Sequence, residues 1–113
     1  MKIIKVLCPI GFGLAFAALL TAASSDPQKG NEAKGRYYFR QTCKECHTKG
    51  AKGGEVTPLT KTIAQWGTYF TKGKHNGEVG GLEKVMPADQ LRDVRTYLLN
   101  HAADSPQPET CGK

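Results

Sequence analysis

Three short helices joined by glycine-rich loops, an all-α fold, are predicted by three features of this 113-residue sequence. Apolar residues recur at three- and four-residue spacing in three separate stretches, the repeat of a helix with one buried face. The segments between those stretches, residues 48–58 and 73–81, hold three and four glycines and read as loops. No strand is apparent between them.

The chain opens with Lys2 and Lys5, an apolar run from Val6 to Leu20, and small residues from Thr21 to Ser25. Residues 1–23 therefore have the charged start, apolar middle and small-residue end of a secretory signal peptide. The apolar run is about 15 residues, short of the ~20 that a membrane-spanning helix needs, and an uncleaved N-terminal anchor is the alternative. Cys8 lies inside the run with no lipidation motif before it. Export places the protein in the periplasm or another oxidising compartment, free of the membrane once the leader is cleaved. Cleavage leaves about 90 residues, a size at which an apolar core alone is barely sufficient. Cys43, Cys46 and Cys111 then remain, an odd number that cannot form a pure disulfide framework. The net charge is +6, with basic residues scattered and densest at Lys49 and Lys52 and at Lys72 and Lys74. No nucleic-acid motif accompanies them, so they read as a solvated face able to steer acidic partners.

Residues 24–30 are polar, with Pro27 and Gly30, and form a linker. The first helix is expected from Asn31, its N-cap, to Thr42, with Ala33, Tyr37, Tyr38 and Phe39 on one face. A second is expected over residues 61–70, where Ile63, Trp66 and Phe70 share a face. Residues 73–81 are expected to hold no regular structure. The third helix should start at Pro87 and run to His101, burying Leu91, Val94 and Leu98 with Tyr97 beside them, and His101 should meet the helix dipole. The domain then covers residues 31–102, and residues 103–113 form an extended or disordered tail. Such helices bury little by themselves, so something else must supply core volume.

The stretch Cys43-Lys44-Glu45-Cys46-His47 places two thiols and an imidazole within five residues. A C-x-x-C-H run reads as covalent attachment of one haem c: the thiols reach two vinyl groups on one porphyrin edge, and the imidazole falls under the iron. A dithiol redox couple would want the cysteines at a helix N-terminus after a strand. A zinc site would want further ligands at paired spacing, which His75, His101 and Cys111 do not offer. A haem would also fill the missing core. Trp66, Tyr69, Phe70 and Tyr37 are expected to pack around it, with the Trp66 N–H directed to a polar partner such as a propionate.

Over residues 31–101 the chain resembles the class I cytochromes c, small single-haem electron carriers. Gly35 stands eight residues before Cys43, with Tyr38 and Phe39 between, and Leu91, Val94, Tyr97 and Leu98 form the apolar–aromatic stripe of the last helix. The resemblance implies a cytochrome c-like fold of three main helices around one haem. It implies that Gly35 lets the last helix cross the first closely, that His47 is the proximal iron ligand, and that the carbonyl of Pro58 accepts a hydrogen bond from the His47 ring.

The second axial ligand stays open between His75, two residues after Gly73, and Met86, followed by Pro87. A vacant site is the remaining possibility. Methionine would raise the reduction potential, a second histidine would lower it, and a vacant site would admit small molecules. The expected function is a monomeric, exported one-electron carrier that docks transiently on redox protein donors and acceptors, acidic at the contact. The alternatives are a haem enzyme or gas-binding sensor with an open distal site, and a fixed haem subunit of a larger redox complex, tethered through Cys111.

Overall fold

The computed structural model describes Gly13 and residues 28–110. The rest of the expected signal peptide, most of the linker, and Cys111 lie outside the described residues.

Asn31 caps the first helix as its sequence suggests, its side chain accepting the Lys34 N–H at 2.9 Å. Helix α1 spans Glu32–Tyr38 but does not stop at Thr42. It widens into a π-helical turn, Phe39–Cys43, closed by the Lys44 N–H on the Phe39 carbonyl, and continues as a short α2, Lys44–Cys46. The first helical run therefore carries the cysteines on its own end.

A capped 3-10 turn, Pro58–Thr60, precedes helix α3, Ile63–Lys72. Thr62 and Gln65 form a reciprocal capping box at its start, and Gly73 ends it in the left-handed region at φ 62°. Residues 73–81 are more ordered than expected. An isolated antiparallel bridge joins His75 to Glu78 around Asn76 and Gly77, both at positive φ, the pairing that Asn-Gly turns favour. Gly81 then opens a short helix that the sequence reading missed, α4, Gly81–Val85. Helix α5, Ala88–Asn100, follows with Pro87 as its cap. Among the described residues every regular element is helical, and none is long and apolar enough to cross a membrane.

The frame is the crossing of α1 and α5. A Cβ built on Gly35 would overlap the Asp93 carbonyl oxygen and stand 3.0 Å from Tyr97 Cβ, so only glycine permits this approach. The crossing is tied at its ends as well. The Asn31 N–H donates to Asp93 Oδ1 at 2.7 Å and the Gly30 N–H to Thr96 Oγ1 at 2.7 Å. Phe39 packs on Tyr97 with ring centroids 5.7 Å apart. Around them a buried cluster gathers Trp66, Met86, Val94, Leu98 and Ala102.

Two expectations about the C-terminal end change. His101 is buried and reaches across to the start of α1, where its Nε2 pairs with Glu32, while its Nδ1 lies 2.9 Å from the Gln107 carbonyl. Hydrogen-bond contacts to Glu32 and the Gln107 carbonyl set its environment together with the α5 terminus that it caps. Residues 103–110 are folded onto the domain instead of trailing from it. The Ala103 N–H donates to the Lys61 carbonyl, the Glu109 N–H to the His101 carbonyl, and Asp104 accepts from the Ile63 N–H. Their backbone groups find partners without any apolar periodicity, which is why the pattern gave no sign of it.

Candidate functional site

Cys43 closes the π turn, Cys46 ends α2, and His47 is the cap that follows, at φ −115° and ψ 44°. Three residues apart on helical backbone, the two thiols share one face. Both cysteines are free. The backbone then folds back on the motif: the Gly53 N–H donates to the Cys46 carbonyl at 2.7 Å and the Val56 N–H to the His47 carbonyl at 3.1 Å.

That return brings two carbonyls to the His47 ring, Gly53 at 3.0 Å and Gly54 at 3.3 Å from Nδ1. Carbonyl oxygens only accept, so Nδ1 carries the proton and Nε2 of the neutral ring keeps its lone pair. The contact needs glycine at 53, where a Cβ would lie 2.6 Å from two ring atoms of His47. A glycine pair in a loop carries no periodicity, so this role was not legible in the sequence.

The expected pairing of Pro58 with His47 is replaced. The buried Pro58 carbonyl accepts the Trp66 Nε1–H at 2.9 Å, and the His47 ring is served by Gly53 and Gly54. The indole therefore has its partner in the protein backbone. The physical reason is the tight 48–56 return, which delivers its own carbonyls to the imidazole before the chain reaches Pro58.

All three motif residues line one cavity of about 440 Å3, within the ~300–1,000 Å3 of small-molecule and cofactor sites. Its walls are mainly apolar: Phe39, Trp66, Tyr69 and Phe70 on aromatic sides, Leu82, Val94 and Leu98 beyond them. Tyr37 is not among them and is 59% exposed. His75 and Met86, the two candidates for the second axial position, both line this same cavity. The His47 and His75 ring centroids are 6.1 Å apart with their planes at 80°. Met86 is 4% exposed and belongs to the buried cluster.

Cys43 is not set up as an attacking thiol. Burial pushes the Cys43 thiol up to about 11, so it stays protonated near neutrality and is a poor nucleophile toward disulfides. Among the described residues no three His, Cys, Asp or Glu side chains converge as a ligand set of the kind a structural zinc ion requires. The side chains able to hold a cofactor are thus Cys43, Cys46 and His47 on one helical end, with His75 and Met86 on the same cavity. No family model, curated protein or solved structure matches this chain.

Proposed function

We propose that the protein is a c-type cytochrome that carries one electron, with a single haem held covalently by Cys43 and Cys46 and ligated by His47. The observation that carries this reading is the opening of the Cys43, Cys46 and His47 side chains onto one apolar cavity at the centre of a small helical domain. The donor set fits the group: two free thiols on one helical face, and an imidazole whose Nε2 is left available by the Nδ1 contact. When bound, haem supplies an iron that alternates between ferric and ferrous states, one electron at a time.

The residues of this chain supply the rest. The carbonyls of Gly53 and Gly54 orient His47 and raise its basicity through the shared proton. The aromatic and aliphatic wall would set the cofactor among apolar side chains, which lowers the local dielectric and limits reorganisation on charge change. No acid–base pair beside a substrate pocket is needed for such a role. Export through the N-terminal segment, action as a monomer and transient docking on acidic redox partners complete the reading.

The test is production of the full chain alongside a haem-attachment system, followed by intact mass and spectroelectrochemistry. The expected protein carries one haem, loses it in Cys43→Ser with Cys46→Ser, and cycles reversibly by one electron. Rapid, complete carbon monoxide binding to the reduced form would overturn the carrier reading in favour of an open-site haem protein. A chain without added mass would overturn haem attachment itself.

A further inference from the structure

The cavity offers two side chains for the second axial position, and their settings differ. We propose that His75 is the distal ligand and that Met86 is a packing residue of the core, an inference that rests on the haem reading above.

The separation of the rings is the first support. Imidazole nitrogens bind transition-metal ions at about 2.0–2.1 Å, which puts the centroids of two rings on opposite sides of one ion roughly 6 Å apart. The His47 and His75 centroids are 6.1 Å apart on the wall of one cavity.

The seat of His75 is the second. Its N–H and carbonyl both bond to Glu78, at 3.2 and 3.0 Å, across the Asn76–Gly77 turn. The hairpin is fastened to the helices on either side by the Leu82 N–H on the Gly73 carbonyl at 3.2 Å. Gly81 presses directly on it: a Cβ there would lie 2.7 Å from the His75 carbonyl oxygen and 3.1 Å from its Cβ. A ligand held by its own backbone bonds loses little freedom on binding. Met86 is placed differently. It caps α4 and belongs to one buried cluster with Phe39, Trp66, Val94, Tyr97 and Leu98, a setting to which a flexible thioether adapts well.

The consequence is a closed, two-imidazole site with a lower reduction potential than a histidine–methionine one. The test reads the spectrum of the haem-loaded full chain. The ferric wild type is expected to be low-spin with no sulfur-to-iron charge-transfer band. His75→Gly should lose the low-spin spectrum, bind carbon monoxide rapidly when reduced, and recover the low-spin state when imidazole is added. A sulfur-to-iron band in the wild type overturns the inference without any variant. So does a His75→Gly protein that stays low-spin without imidazole. In both of those cases haem is attached and only the assignment of His75 fails, whereas a wild type without haem overturns the underlying reading and this one together.

Discussion

Gly35→Ala tests the helix crossing on which the whole cavity depends. The new methyl group would overlap the Asp93 carbonyl oxygen, lie 2.5 Å from its carbon and 3.0 Å from Tyr97 Cβ. Two of these atoms are helix backbone, so no side-chain rotation relieves them, and α1 and α5 must separate. Overpacking in a well-packed site costs about 1–3 kcal/mol, and a backbone obstacle belongs at the upper end of that range. The gain in helix propensity on replacing glycine, about 1 kcal/mol, offsets part of this. A net loss of roughly 1–2 kcal/mol lowers the melting temperature of a domain this size by roughly 4–16 °C. Gly67→Ala in α3 is the matched control, because nothing lies within 4 Å of its would-be Cβ. That variant should gain about 1 kcal/mol from propensity alone. The assay is thermal unfolding of parent and both variants, followed by far-ultraviolet circular dichroism under one set of conditions. If Gly35→Ala melts with or above the parent, the close crossing is not what holds the two helices together.

Trp66→Phe keeps an aromatic side chain but removes the indole N–H and leaves the buried Pro58 carbonyl without its 2.9 Å donor; a loss of at least about 1–3 kcal/mol in urea unfolding is expected. Ser105→Ala should be neutral or stabilising by about 1 kcal/mol, because the Ser105 hydroxyl is buried with no hydrogen-bond partner among the described residues. Bonds from His101 and then Asn100 hold the Glu32 carboxyl below its ordinary 4.5. Its contribution is therefore complete above that value and is lost as pH falls through the lower folded value. Melting curves against pH should show Glu32→Gln less stable than the parent near neutrality, with the gap closing in acid; parallel curves would remove the linkage. Half-exposed as it is, Glu32 should give a small gap.

The helical frame was legible because helix formation leaves a local trace. Ile63, Trp66 and Phe70 repeat at the helical period, and Asn31 caps by a contact only three residues long. Gly35 was legible only through the family resemblance, which its place eight residues before Cys43 helps to carry. What escaped is carried by backbone groups or by partners far along the chain. A sequence does not show where a carbonyl points, so Gly53 and Gly54 hold the contact to His47 expected of Pro58, and the Pro58 carbonyl accepts from Trp66 instead. The tail from Ala103 to Thr110 is held by contacts to Lys61, Ile63 and His101, none of which periodicity can reveal. His101 needed Glu32, 69 residues away, to disclose its setting. The hairpin under His75 is a different case, since its Asn-Gly pair was a turn signal in plain view among the glycines.

The wide turn at Phe39–Cys43 fixes an angle. Eight residues of regular helix would carry Cys43 roughly 80° around the axis from Gly35. A π-helical turn takes up about one residue, which brings the two back to within roughly 20° of each other. The glycine at the crossing and the thiol at the cavity are in this way kept in phase despite an interval that does not suit the α-helical period. Deleting the exposed Gln41 would let the helix become regular with the phase nearly intact, whereas one more inserted residue would swing Cys43, Cys46 and His47 by about 100°. The interval between Gly35 and the motif is a rotational setting, and the wide turn is what corrects it.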